Sequence, residues 1–143
     1  MIMSLSDLLI WRNYALRAMV LHAKALGVNK GVAFVSVQHL NGQTLTIECA
    51  VVNNTFQREC HGWDDKGSNY FGIALEKLAV MVSTDLNSGF VPPEKLKNGE
   101  SPYRGGLVRK VGGYFVYTGF SGGTQDEDVE IATAGMDLLT VGY

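Results

Sequence analysis

The stretch that decides the fold is residues 105–124, which read GGLVRKVGGYFVYTGFSGGT. Residues 107–111 and 114–120 are rich in β-branched and aromatic side chains, and Gly112-Gly113 separates them as a two-residue turn. This pattern predicts a β-hairpin. Ser121-Gly122-Gly123 then breaks the second strand, and the three residues are best explained as a tight turn from the strand into a helix.

A closing helix is predicted to follow that turn. In Thr124-Gln125-Asp126-Glu127 a hydroxyl precedes an acid by three residues, which is the pattern of a capping box. The apolar face of the helix is formed by Ile131, Gly135, Met136 and Leu138. A glycine inside a helix costs about 1 kcal/mol relative to alanine, so Gly135 predicts a close approach of the helix to the sheet.

The first forty residues predict a long helix followed by a strand. Ser4 and Asp7 form another capping box, and apolar residues at helical spacing predict a helix over residues 5–26, ended by Gly27. Residues 31–37 are a short apolar run, as expected for a strand that is covered on both faces. Asn41-Gly42 predicts a type I′ hairpin turn, with positive φ at both positions.

The middle of the chain contains a strand, a loop and a helix. In the strand after Gly42, one row is predicted to point inward: Leu45, Ile47, Cys49 and Val51. Residues 53–69 have no clear period and are predicted to form a long loop. A helix over about residues 70–85 follows, in which Glu76 and Lys77 are expected to face solvent or a rim.

The order of elements predicts the fold class. Helix, two strands, helix, two strands and helix follow one another, and each pair of strands is a hairpin. We therefore expect an α/β (α+β) fold in which helices pack on an antiparallel sheet, formed by residues 1–143 as a single domain.

Composition excludes several classes of protein. The chain has 143 residues, 46% of them hydrophobic and 18% charged, with a net charge of -2. No basic block marks a nucleic-acid binder. The N-terminus lacks the charge pattern of a signal peptide, and no apolar run reaches the length of a membrane span, so a cytoplasmic protein is expected. Cys49 and Cys60 are expected to be reduced thiols, with a single bridge between them left open.

One connected set of motifs resembles the GlcG/HbpS-like family, also called the haem-degrading domain. Gly105-Gly106-Leu107 leads through the hairpin to Gly119-Phe120-Ser121-Gly122-Gly123-Thr124, and Asp128 and Ala134-Gly135-Met136 follow. Ile73-Ala74-Leu75-Glu76-Lys77 is similar to the family's Ile-Ala-x-x-Lys motif. Val108 stands where the family usually has proline, and His39 stands where it tends to have Asp.

The resemblance implies a fold and a range of functions. It implies a profilin-like α-β-α sandwich around an antiparallel sheet, and a homo-oligomer, because members of the family commonly self-associate. Some members bind haem. Others are linked to glycolate or diol metabolism, or are appended to corrinoid adenosyltransferases.

The resemblance also nominates residues that bind a cofactor. His22 lies at the border of the first helix's apolar face, where a neutral imidazole could ligate haem iron, as a histidine on this helix is thought to do in haem-binding relatives. Lys77, Gly105 and Gly106 are nominated because the matching motifs border the family's pocket and assembly surface. The leading hypothesis is an oligomeric domain that binds haem or another small ligand.

Other readings of the sequence remain open. The residues His39, Cys49, Cys60 and His61 could in principle ligate a metal, but only Cys60-His61 is a close pair, so no metal site is predicted. An enzyme acting on a small metabolite would use the 53–69 loop with His61 and Lys77. A structural accessory subunit is the third alternative. The acids that follow Gly123 argue against a phosphate site at the Ser121-Gly122-Gly123 turn, which places the predicted site around helix one and the central loop.

Overall fold

A computed structural model describes residues 4–141 of the chain. In chain order, the helices and strands are α1 (Leu5–Ala25), β1 (Val32–His39), β2 (Leu45–Val51), β3 (Gln57–Arg58), β4 (Ser68–Asn69), α2 (Tyr70–Thr84), β5 (Gly106–Val111), β6 (Tyr114–Ser121) and α3 (Gln125–Leu139). Short 3₁₀ turns occupy Val52–Asn54 and Pro93–Lys95. The predicted order of helices and hairpins is confirmed.

The four long strands form one antiparallel sheet in the order β2-β1-β6-β5. The two hairpins join through their inner strands, with Val32 opposite Ser121 and His39 opposite Tyr114. Strand β1 is therefore central and paired on both edges, and residues 32–37 are buried without alternation because helices cover both faces of the strand.

Helices cover both faces of the sheet and create two apolar cores. Helices α1 and α3 pack together on one face, above Ala33, Val35 and Phe120, while α2 packs on the other face above Phe34 and Tyr117. A side chain at Gly135 would put its Cβ 2.7 Å from the sulfur of Met19, on α1. The prediction that Gly135 marks a helix-to-sheet approach is therefore wrong, since the close approach joins α3 to α1.

The local signals at the helix ends form as predicted. Both capping boxes are present, at Ser4 with Asp7 and at Thr124 with Glu127. At the end of α1, Gly27 has a φ of 81°, and the N–H of Val28 donates to the carbonyl of Ala23. This is a Schellman motif, so glycine is the favoured residue at position 27.

The first hairpin and the edge strand differ from the predictions. Gly42 has a φ of 75°, but Asn41 does not adopt positive φ, so the connection is not a type I′ turn. Strand β2 lies at the edge of the sheet, and the row expected to point inward is partly open, with Leu45 41% and Ile47 45% exposed. The reason is that α2 packs on β6, β5 and β1 and does not extend over the edge.

The 53–69 segment is more ordered than an irregular loop. Strands β3 and β4 pair across it, and Arg58 donates two hydrogen bonds, of 2.7 and 2.9 Å, to the carboxylate of Asp65. Asp65 also accepts the N–H groups of His61 and Gly67. Within the described residues, none of the helices has both the length and the apolarity needed to cross a bilayer.

Candidate functional site

A buried ion pair lies where α2, α3 and the end of β6 meet. The Nζ of Lys77 lies 3.0 Å from Oδ2 of Asp128 and donates a second hydrogen bond, of 2.7 Å, to the carbonyl of Phe120. The Lys77 side chain is 1% exposed and that of Asp128 is 5% exposed. The expectation that Lys77 faces solvent or a rim is wrong, because α2 turns Lys77 inward with Ala74 and Leu78.

Asp128 connects this pair to the Ser121-Gly122-Gly123 turn. Its Oδ1 accepts the N–H of Gly123 at 2.9 Å, while its Oδ2 accepts from Lys77. One carboxylate therefore fixes the turn to α2 and lies in the first turn of α3. Each of its oxygens has a charged or backbone donor, as burial of a carboxylate requires.

Burial shifts the pKa values of Lys77 and Asp128 in the directions that favour the neutral form of each group. Removal from water raises the pKa of Asp128 from 3.8 to about 6, even though the ammonium of Lys77 opposes the rise. Burial likewise lowers the pKa of Lys77, against the stabilising charge of Asp128. A pair of groups with converging pKa values at a cavity is typical of a functional site.

The two nominated glycines leave room for this arrangement. Gly105 has a φ of 121°, and a Cβ there would lie 2.7 Å from both the Nζ of Lys77 and the Cβ of Asp128. A Cβ at Gly106 would lie 2.7 Å from the terminal methyl of Met81 on α2. The structure therefore brings Lys77 and Gly105 together, and places Gly106 beside them at the α2 packing surface.

A cleft opens beside the ion pair, and it has two adjoining parts. The outer part has a volume of about 530 Å³ and the inner part about 340 Å³. The residues shared by both parts are Ser68, Tyr70, Gly122, Gly123 and Thr124. The inner part is also lined by Lys77 and Asp128, and the outer part by Asn29 and Lys30.

The outer part contains a cation without an acidic partner. The Nζ of Lys30 lies 5.9 Å from the centre of the Tyr70 ring, which is a cation–π distance. Among the described residues, no carboxylate lies within ion-pair distance of Lys30. Glu127, on the opposite wall, is engaged by the N–H of Thr124 in the capping box. Lys30 is thus the group in this part best suited to meet an anionic atom of a ligand.

The Ser121-Gly122-Gly123 turn has two roles in the structure. A Cβ at Gly122 would lie 2.5 Å from the carbonyl of Lys30, so close backbone packing requires glycine at this position. This agrees with the prediction that the three residues form a tight turn. The same turn also forms a wall of both parts of the cleft. The sequence analysis had instead predicted the functional site around helix one and the central loop. The N–H groups of Gly123 and Thr124 are occupied by Asp128 and Glu127, as the argument against a phosphate site requires.

His22 lies apart from the cleft. It projects from α1 toward α3, where its Nε2 lies 2.7 Å from Oε2 of Glu130. Its side chain is 38% exposed and that of Glu130 is 57% exposed, so the imidazole is accessible at the surface. His22 is not among the residues that line the two parts of the cleft.

The remaining cysteines and histidines do not converge. Cys49 lies on β2 and Cys60 in the connection between β3 and β4, and both are free thiols. His39 lies at the end of β1, with its ring against Tyr114. In the described part of the chain, no group of three or more His, Cys, Asp or Glu side chains could hold a metal ion. His61 is exposed and does not line the cleft with Lys77.

Sequence reasoning missed several residues of the cleft. Asp128 was one of a run of acids attributed to the helix dipole, and Asn29 and Lys30 were only a connection after α1. Two motifs could have indicated the pair. One is the motif of α2 that ends in Lys77, and the other is the glycine turn that is followed by Asp128, a residue of opposite charge. Both lie in the stretches that resemble the GlcG/HbpS-like family.

Comparison with known proteins shows similarity in structure and not in sequence. No family model matches the chain, and no curated protein matches it significantly. The PduOC:heme complex has a TM-score of 0.63 at 19% identity, over 98% of this chain and 96% of that chain. The Klebsiella pneumoniae protein ORFY, of the DUF336 family model, has a TM-score of 0.52 at 22% identity, over 91% and 90% of the two chains.

A third similar structure is the Ybr137w protein, with a TM-score of 0.54 at 16% identity, over 90% of this chain and 76% of that chain. Likenesses at these identities establish architecture. The chain therefore has the fold of PduOC and of the DUF336 protein, and this confirms, at the level of the fold, the resemblance to the GlcG/HbpS-like family.

Proposed function

We propose that the protein binds a small polar ligand in the cleft beside the Lys77–Asp128 pair. The observation that carries the proposal is the cleft itself, whose parts of about 530 and 340 Å³ fall in the range of small-molecule sites. Ser68, Tyr70 and Thr124 border both parts, so one ligand can extend through them.

The charges of the cleft favour a ligand with an anionic or carbonyl oxygen. Within the described residues, Lys30 is a cation of the outer part with no carboxylate at ion-pair distance, and Lys77 lines the inner part. The acids on the first turn of α3 disfavour a doubly charged phosphate near Gly123. A singly charged or neutral polar metabolite fits both conditions.

A metabolite library screened by thermal shift tests the proposal, because a ligand that binds the folded state raises the melting temperature. Ser68→Trp fills the junction of the two parts and should abolish the shift. Ser6→Trp, on the exposed first turn of α1, is the matched control and should keep it. A shift that persists in Ser68→Trp would place the ligand elsewhere.

Haem binding through His22 is the second candidate. It is favoured by the likeness to PduOC, whose structure is a haem complex, and by the accessible imidazole on α1. Binding of iron would require the imidazole to release Glu130, because Nε2 of His22 faces that carboxylate. Haem would then lie against the surface of α1 and α3, away from the cleft.

A haemin titration distinguishes this candidate. His22→Ala should lose the shift of the Soret band, whereas His61→Ala, a more exposed histidine in the connection between β3 and β4, should retain it. An unchanged Soret band in His22→Ala would remove His22 as a ligand. Haem uptake blocked by Ser68→Trp and not by His22→Ala would assign haem to the cleft.

We also propose that the protein forms homo-oligomers through the β2 edge. Among residues 4–141, no strand pairs with one side of β2, and Leu45, Ile47 and Val51 on this strand are 37–45% exposed. An open edge with an apolar face readily pairs with another strand, and a second copy about a two-fold axis satisfies both edges at once.

A further inference from the structure

In the part of the chain that the structure describes, the ammonium of Lys77 has one N–H group without an acceptor. An ammonium has three N–H groups, and two of them are directed to Asp128 and to the carbonyl of Phe120. The side chain lines the inner part of the cleft, where Ile73 and Tyr103 form other walls. The remaining N–H of a lysine that lines a cavity can therefore meet a group that enters the cavity.

The Lys77–Asp128 pair has two protonation states, an ion pair and a neutral amine–acid pair. An ion pair and a neutral amine–acid pair differ by one proton shift across 3.0 Å. Burial penalises the charged form of both groups, and it therefore brings the neutral pair closer in free energy. The raised pKa of Asp128 and the lowered pKa of Lys77 are the two expressions of that effect.

We propose that Lys77 forms an imine with a small aldehyde or ketone that enters the inner part of the cleft, and that Asp128 accepts and returns the proton. Desolvated lysines are the usual imine-forming amines in proteins because the neutral amine is the nucleophile. The inference rests on the proposed function in so far as the carbonyl compound must enter through the same cleft.

The steps balance without any redox partner. Lys77 first gives a proton to Asp128, and the amine lone pair then attacks the carbonyl carbon. The carbonyl oxygen gains the proton that the nitrogen loses, which gives a carbinolamine. Asp128 next protonates the hydroxyl, water leaves, and the C=N bond forms as a protonated imine beside the restored carboxylate. Only water is released, and hydrolysis reverses the sequence.

The surroundings limit the carbonyl compound to a small one. The inner part has a volume of about 340 Å³, with Gln125 and Tyr103 as polar wall residues that can bind hydroxyl groups. The Cβ that Gly105 lacks would lie 2.7 Å from the Nζ of Lys77. The absence of a side chain at position 105 therefore leaves the space that the Lys77 amine occupies.

Trapping with a reductant tests the inference on the wild-type protein. The protein is incubated with hydroxyacetone and sodium cyanoborohydride, and the reduced adducts are mapped by peptide mass spectrometry. We expect Lys77 to be labelled faster than the exposed lysines 24, 66, 95, 97 and 110, since burial lowers the pKa of Lys77 and a lower pKa leaves more of the amine neutral. Labelling of the exposed lysines with an unmodified Lys77 would overturn the inference.

Two variants provide controls. Lys77→Arg keeps a cation but cannot form the imine, so the preferential adduct should disappear, while Lys110→Arg, on the exposed side of β5, should leave it unchanged. If Lys77→Arg does not fold, peptide mapping of the wild type still decides the matter.

The outcome is distinguishable from failure of the proposed function. A thermal shift that Ser68→Trp abolishes, together with no adduct on Lys77, rejects the imine and keeps reversible binding. An adduct on Lys77 that Ser68→Trp does not reduce rejects the cleft as the route of entry, and with it the inference as stated.

Discussion

The Nζ of Lys77 lies 3.0 Å from Oδ2 of Asp128 in the interior, although 51 residues separate the two along the chain. The pair links α2 to the first turn of α3, and the second oxygen of Asp128 accepts the N–H of Gly123 in the glycine turn that precedes α3. Removal of either partner leaves a buried charge unpaired, which costs more free energy than the intact pair provides.

Lys77→Met should therefore reduce the free energy of unfolding by about 3–5 kcal/mol at neutral pH. Urea denaturation measures the change. Asp126→Asn is the matched control, because Asp126 pairs with Arg104 at the surface and is 85% exposed. The control should change stability by less than about 0.5 kcal/mol. Equal decreases in the free energy of unfolding of the two variants would show that the buried pair contributes no more to stability than the surface pair.

The pH dependence of stability should report Asp128. Its pKa in the folded state is about 6, above the ordinary value of 3.8, so the folded protein holds the proton more tightly than the unfolded chain. The contribution of Asp128 to stability is then greatest below pH 3.8 and is lost as the pH rises through about 6. The difference in unfolding free energy between wild type and Asp128→Asn should fall across that window. A difference that rises with pH would mean that the carboxylate is net stabilised by its partners.

Gly105→Ala should destabilise the protein by about 1–3 kcal/mol, because φ is 121° and the new Cβ would lie 2.7 Å from Lys77 Nζ. Gly113→Ala is the control, since it lacks positive φ and a Cβ there meets nothing within 4 Å. Thermal denaturation of both variants makes the comparison. Similar melting temperatures would indicate that the Lys77 side chain moves without cost.

His22→Ala should change stability by less than about 1 kcal/mol, because its pair with Glu130 is exposed and such pairs contribute little. Chemical denaturation measures this effect before any haemin titration. The variant therefore reports on the iron ligand and not on folding. A larger loss would assign His22 a role in fastening α1 to α3.

Ile47→Lys should shift any oligomer toward the monomer, because it places a charge on the exposed apolar row of the β2 edge. Light scattering after size-exclusion chromatography measures the mass. Lys110→Glu, at an exposed position of the opposite edge strand β5, should leave the mass unchanged. An oligomer that survives Ile47→Lys would place the interface elsewhere.

Much of the fold could be predicted because its signals are local. Each capping box involves residues only three positions apart, and Gly27 ends α1 through bonds within one turn of the helix. The second hairpin was predicted from Gly112-Gly113 because its turn and strands are adjacent in the sequence. Hydrogen bonding over such distances depends on the nearest residues and hardly on the rest of the chain.

The burial of each face of the helices and strands was predicted less well, because it depends on which other element packs on that face. The alternation in β2 is real, but the row of Leu45 and Ile47 is partly exposed because α2 does not extend over the edge strand on that face. Gly135 was correctly expected to allow a close approach, but its partner is Met19 on another helix. The periodicity of apolar residues shows which face of an element is apolar, but it does not show which other element packs against that face.

The sequence by itself determined the order of helices and hairpins, their caps and the turn at Ser121-Gly122-Gly123. Only the tertiary structure decided that Lys77 is buried and that Asp128 is its partner, and it made the same turn the wall of a cleft with Lys30. The physical reason is that a charge is buried only where an opposite charge can meet it. Lys77 and Asp128 meet because α2 and α3 pack on opposite faces of the same sheet, which brings together two residues that are 51 positions apart in the chain.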